Sequence, residues 1–202
     1  MKILVIGAAG AVGRAVVEAF AGEVVISAGR NSGDLRVDLA DEASLEAFFG
    51  EVLRRHGRVD AVVSTAGEVA AGSLRELGRT DWQTSFDAKL LGQIRLTQRA
   101  IPYLSDGGSV TLTTGITSEE PVRGGIVKTT INRALEGFVF TSALELPRGI
   151  RINAVSPGLL ETSAPKLGRA FPGIVPVSSR RVGEEYRKSV LGIQTGRVFK
   201  AY

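Results

Sequence analysis

Three glycines, Gly7, Gly10 and Gly13, stand where a nearly continuous apolar run, Lys2–Ile6, gives way to an amphipathic stretch from Gly10 to Ala21. An apolar run without alternation is what a strand covered on both faces requires. Val12, Val16, Val17 and Phe20 then recur at helical spacing and share one face. The segment Gly7-Ala8-Ala9-Gly10-Ala11-Val12-Gly13 is thus a strand–turn–helix junction. In such a junction one glycine permits the tight turn and a second lets backbone N–H groups approach a pyrophosphate. The third lets the helix pack close on the strand. With 25 glycines in the chain the bare spacing carries little weight, and the flanking strand and helix carry the reading. A ligand-free turn is the plainer alternative.

The alternation continues along the chain. Strands are expected at Val24–Ala28, Leu35–Val37, Val59–Ser64, Ser109–Thr113, Ile150–Val155 and Arg197–Tyr202. Helices are expected at Ser44–Arg55, over most of Asp81–Leu104, at Ile126–Leu146 and at Ser179–Leu191. Only a tight turn, Arg30–Asp34, separates the second strand from the third, leaving no room for a crossover helix. Residues 157–178 carry four prolines and read as a long loop with one short helix. Its apolar residues Leu159, Leu160, Phe171, Ile174 and Val175 would make a lid over a site. Such a pattern predicts βαβ units on a parallel sheet: a Rossmann-like, doubly wound, three-layer αβα fold. At 202 residues and 21.3 kDa the chain suits a single domain with a full core.

Composition removes several function classes. Without cysteine there are no disulfides, thiolate metal sites or cysteine nucleophile. One histidine, His56, speaks against a histidine metal site or a Ser-His-Asp triad, and no metal is expected. His56 precedes Gly57 at a helix end, where a cation suits the dipole. No apolar run reaches the ~18–20 residues that cross a bilayer. The opening MKILVIG reads as a strand rather than a signal segment, so a cytoplasmic protein without a membrane partner is expected. The 25 basic and 21 acidic residues give +4, but aromatic residues are only 6%. The one dense basic run, Arg180–Lys188, is interrupted by Glu184 and Glu185. No nucleic-acid partner is expected from this pattern.

The end of the second strand bears on the cofactor. An acidic residue there would hold a ribose 2′-hydroxyl and repel a 2′-phosphate. The sequence has Gly29-Arg30-Asn31-Ser32 instead. A guanidinium grips phosphate bidentately, and Asn31 and Ser32 add hydrogen bonds. NADP(H) is therefore favoured over NAD(H), with Asp34 the acidic neighbour that argues the other way.

In chain order these pieces resemble the short-chain dehydrogenase/reductase family over nearly the whole length. Gly7–Gly13, with Ala9, Gly10, Ala11 and Val12, resembles its cofactor loop, and Asp38-Leu39 its adenine-contacting pair. Ser64-Thr65-Ala66-Gly67 stands where the family has Asn-Asn-Ala-Gly. Ala134–Phe138 through Ala143–Leu146 is similar to the active-site helix. Arg151–Gly158, with Pro157, Gly158 and the following Thr162, is similar to the nicotinamide-side signature.

The family's catalytic residues do not carry over. The resemblance implies a Tyr-x-x-x-Lys pair, but this register puts Lys128 at the tyrosine and Asn132 at the lysine. Gly115 falls at the catalytic serine, with Thr114 just before it, and Lys89 at the family's asparagine. The lysine and asparagine types are thus exchanged, which predicts that the Lys89 ammonium reaches where the family's lysine would be. Drift after loss of activity is the competing account. Lys128 is the remaining candidate acid, and Thr113, Thr114 or Thr117 the candidates to orient a carbonyl. A lysine donates protons near neutrality only if burial or a second cation lowers its pKa. The resemblance implies an NADP(H)-dependent oxidoreductase for a small carbonyl or alcohol, assembled as a homodimer or homotetramer. A catalytically inactive NADP(H)-binding sensor or assembly protein is the alternative.

Overall fold

The computed structural model describes residues 1–202. Its centre is β1 (Lys2–Ile6), whose side chains alternate between two apolar layers. Ile3 and Val5 face α1 (Ala11–Ala19) and α7 (Ser179–Leu191), packing with Val16, Phe20, Val182 and Tyr186. Leu4 and Ile6 face the opposite layer, made by α2 (Glu42–His56), α4 (Gly92–Ala100) and α5 (Ile126–Ser142). Burial on both faces explains why this strand has no polar alternation.

Around β1 lie β2 (Val24–Gly29), β3 (Leu35–Arg36), β4 (Val59–Ser64), β5 (Leu104–Thr113), β6 (Arg151–Pro157) and β7 (Val198–Ala201). The order is β3-β2-β1-β4-β5-β6-β7 and every pairing is parallel. The strand order reverses beside β1: the chain runs from β1 to β2 and β3 on one side, then returns to place β4 on the other. That is the switch point at which doubly wound sheets open a crevice beyond their strand ends.

The turn from β2 to β3 has no crossover helix, as the sequence predicts, and its closure depends on Gly33 and Asp34. The Asp34 carboxylate accepts from the Ser27 amide at 2.9 Å and from the Ser27 hydroxyl at 2.6 Å. These bonds hold the Asp34 carboxyl below the usual carboxylate range. Gly33 has φ +95°, and a Cβ there would come within 2.9 Å of the Ser27 carbonyl group.

Several boundaries differ from the sequence expectation. The helix expected to reach Leu146 ends at Ser142. Leu146 precedes Pro147, which disfavours helical backbone, and Leu144 is exposed with nothing to pack on. The helix expected over Asp81–Leu104 becomes α3 (Arg79–Ser85), a π-helical segment Phe86–Leu91, α4 and a 3₁₀ turn Ile101–Tyr103. Leu104 already belongs to β5, whose polar stretch Ser105–Gly108 conceals the strand start. α2 starts at Glu42 because the Asp41 side chain caps the Ala43 amide. In the long loop the short helix is α6 (Ala164–Leu167), followed by a 3₁₀ turn and tied back by a Leu160–Val177 bridge.

Gly33→Ala is expected to lower stability by about 2 kcal/mol, from strain at positive φ plus a backbone clash. Gly22→Ala, where an added Cβ meets nothing within 4 Å, is expected to be near neutral. Urea unfolding of the two variants checks the contrast, and equal stabilities would contradict it.

Candidate active site

The glycine turn is built by close approach. A Cβ on Gly13 would lie 2.1 Å from the Gly7 carbonyl oxygen, so α1 seats only on glycine there. Gly7 turns at φ +85°, with the Ala66 amide nitrogen 2.8 Å from where a Cβ would stand. The Thr65 hydroxyl donates to the Ile6 and Gly7 carbonyls at 3.0 and 3.1 Å and clamps the turn to the end of β4. Gly10 caps α1 without a side chain, and the Ala11, Val12 and Gly13 amides find no acceptor within the chain. Three unpaired N–H groups at a helix N-terminus, in a cradle with no room for a side chain, fit a pyrophosphate.

Two recesses meet at this turn. The first, about 380 Å³, takes in Ala9 and Gly10 at the turn, Arg30, Asn31 and Ser32 after β2, and Asp38 and Leu39 after β3. Thr65, Ala66 and Gly67 close it from β4. The Asp38 amide donates to the Ser44 hydroxyl at 2.9 Å, and the Asp38 carboxylate accepts from Ala40 at 3.0 Å, which fixes that loop. Asp34, turned onto Ser27, does not line this recess. Glu68 does, and its carboxylate pairs with the Arg30 guanidinium at 3.2 Å.

The second recess, about 350 Å³, lies on the other side of Ala11 and Val12. Thr114, Gly115 and Thr117 line it from the loop after β5, Lys128 and Asn132 from α5, and Pro157 and Gly158 from the end of β6. Leu159, Leu160 and Phe171 of the long loop cover it, whereas Ile174 and Val175 do not reach it. Thr162 is exposed outside the recess, and the neighbouring Ser163 lines it instead.

Behind the second recess is Lys89, carried inward on the π-helical segment and only 8% exposed. Its Nζ donates to Asn132 Oδ1 at 2.8 Å and to the Thr114 carbonyl at 3.4 Å. Gly67 allows the side chain to pass, since a Cβ there would fall 2.7 Å from Lys89 Cγ. Burial and the nearby Lys128 charge push the Lys89 ammonium down to about 8. With Oδ1 taken, Asn132 Nδ2 donates to Thr117 Oγ1 at 3.0 Å and to the Gly115 carbonyl at 3.4 Å. The Thr117 hydroxyl proton is then left for an acceptor in the recess. The Thr114 hydroxyl donates to the Val155 carbonyl at 3.4 Å, and Thr113 Oγ1 lies 2.6 Å from the Tyr186 hydroxyl.

No tyrosine lines the second recess. Tyr103 stacks on Phe49, Tyr186 is buried against Thr113, and Tyr202 donates to Glu119 at 3.0 Å. Sequence reasoning missed Glu68, Arg123 and Ser163. Glu68 directly follows the Ser64–Gly67 block, and Arg123 sits within the Gly-rich loop, so both were within reach of a wider window.

Comparison with known proteins agrees with this fold. The family model described as enoyl-(acyl carrier protein) reductase matches residues 6–181. The chain is similar to the protein lin1944 of Listeria innocua, with 43% identity, a TM-score of 0.96 and all of both chains covered. A small-chain dehydrogenase in complex with NADPH is 28% identical with a TM-score of 0.84, covering 99% of this chain and 95% of that one. An uncharacterized NAD-dependent oxidoreductase of Mycobacterium tuberculosis is 30% identical over 62% of this chain and 47% of its own length. The chain thus spans about half the length of curated relatives such as this one. It belongs to the short-chain dehydrogenase/reductase family.

The Lys89 environment has a measurable consequence. Its folded pKa, about 8, lies below the ordinary lysine value of 10.5. Between these values the unfolded chain binds the proton that the folded chain has released, so this group adds stability as pH rises. Urea unfolding from pH 8 to 10.5 is expected to show wild type gaining on Lys89→Met by on the order of 3 kcal/mol. Parallel pH profiles would contradict the buried-ammonium account.

Proposed function

We propose that the chain is an NADP(H)-dependent oxidoreductase that reduces a small carbonyl compound or oxidises the corresponding alcohol. The observation that carries this reading is the meeting of two recesses at the glycine turn, next to three unpaired amides, with Arg30 on one side and Lys128 on the other. Ala11, Val12 and Gly13 would hold the pyrophosphate, Asp38, Leu39 and Ala66 the adenosine, and Arg30, Asn31 and Ser32 the 2′-phosphate. Pro157 and Gly158 would border the nicotinamide, which when bound supplies or takes up the hydride.

In the second recess Lys128 donates a hydrogen bond and then a proton to the reacting oxygen, and Thr117 steadies that oxygen. Asn132 orients Thr117, and Lys89 fixes Asn132 while keeping a positive charge beneath the site. General acid catalysis of this kind contributes typically ~10²–10⁴-fold. Thr114 shapes the site through its backbone carbonyl, which Lys89 contacts. The alternative, cofactor binding without turnover, is favoured by the lack of any tyrosine on the recess. For assembly we propose a homodimer or homotetramer, and for compartment the cytoplasm. No helix is long and apolar enough to cross a membrane.

Calorimetric titration with NADPH and NADH tests the cofactor assignment. NADPH is expected to bind roughly tenfold or more tightly than NADH. Arg30→Ala should erase that preference, and Glu68→Gln, which frees Arg30 from its carboxylate, should widen it. Binding of neither nucleotide would end the cofactor reading, and equal binding would end the NADP(H) preference. In a carbonyl screen, NADPH consumption above background that is lost in Lys128→Met supports turnover. NADPH binding without consumption supports the alternative.

A further inference from the structure

We propose that the second recess accepts a small apolar molecule bearing one anionic headgroup, a carboxylate or a phosphate monoester, held by Arg123 with Lys128 adding to the attraction. This rests on the oxidoreductase reading, because it names the substrate class of the same site.

The charge on the recess is one-sided. Arg123 and Lys128 are its only charged lining residues, and no aspartate or glutamate faces it. Neither cation belongs to an ion pair of the fold, whereas other surface arginines, among them Arg133 and Arg148, do. Glu119, in the loop that follows Thr117, is already engaged by Lys200 and Tyr202 and is not free to serve as counterion. Lys89 lies beneath with only neutral oxygens as partners, those of Asn132 and Thr114. Like charges around a partly desolvated recess repel one another, and an anion entering it relieves that repulsion.

The walls define the rest of the ligand. Ile116, Val122, Leu159, Leu160, Leu167 and Phe171 present apolar surface around about 350 Å³, which a small ring or short chain would share with the nicotinamide at Pro157 and Gly158. A wholly neutral ligand would use those walls and leave the cations unpaired. Arg123 is exposed at the rim, where its guanidinium fork can take a carboxylate or phosphate side-on. Half-buried Lys128 is left to face the reacting oxygen.

The test is calorimetric titration of the full chain with hexanoate, hexyl phosphate and the neutral hexanamide, with and without NADPH. Wild type is expected to bind one of the two anions roughly tenfold more tightly than hexanamide. The better of the two identifies the headgroup. Arg123→Gln, at an exposed position, should remove most of that preference, Lys128→Met should reduce it, and added salt should weaken it. NADPH binding with no preference among the three probes, or with none of them bound, would overturn the inference and leave the oxidoreductase reading standing. A preference unchanged in both variants would also overturn it, because the anion would then sit elsewhere. Anion preference in a protein that binds neither NADPH nor NADH would keep the anion site and remove the oxidoreductase reading.

Discussion

A lysine ammonium buried without a carboxylate must be held by neutral oxygens, and at Lys89 that requirement organises half of the site. One oxygen is Asn132 Oδ1, which fixes the orientation of that amide and sends its nitrogen to Thr117 and Gly115. Another is the Thr114 carbonyl, at the end of β5. The chain makes room for the arrangement in two places. The π-helical segment Phe86–Leu91 carries the side chain inward, as π-bulges at functional sites often do. Gly67 offers no Cβ where the lysine stem must pass.

The other half of the site depends on backbone packing rather than charge. Gly13 against the Gly7 carbonyl brings α1 down onto the end of β1, and Thr65 ties the same turn to β4. Because β1 lies between β2 and β4, the turn opens at the point where the sheet changes winding direction. The unpaired amides of α1 therefore sit between a recess walled by the β2 and β3 ends and one walled by the β5 and β6 ends. The proposed dinucleotide would lie across their junction.

The fold was legible because continuous apolar strands and amphipathic helices are local patterns. β1, β4 and α7 fall where hydrophobic periodicity puts them, and the missing crossover helix between β2 and β3 follows from five intervening residues. The ends were harder. The start of β5 carries polar and glycine residues whose side chains hold to Asp60 and Arg148 rather than to an apolar layer, and the end of α5 depends on Pro147 and on Leu144 finding no surface to cover. At the site, exchange of residue types put Lys89 and Asn132 in play, and the fold brings them into contact. What sequence could not show was direction: that Asp34 turns back to Ser27, that Glu68 turns onto Arg30, and that Thr117 rather than Thr114 offers its hydroxyl. Those are choices among hydrogen-bond partners set by how the chain folds back, with no periodicity to reveal them.

The most direct test of this account is a double-mutant cycle between Lys89→Met and Asn132→Leu, read by urea unfolding at neutral pH. If the two side chains form one unit, each single change strands a buried polar group, and the double change removes both. The account predicts that the double variant is more stable than the two single effects added together, by at least about 1 kcal/mol. Effects that add within about 0.5 kcal/mol would mean that the two residues act independently, and the shared Lys89–Asn132 unit would be wrong.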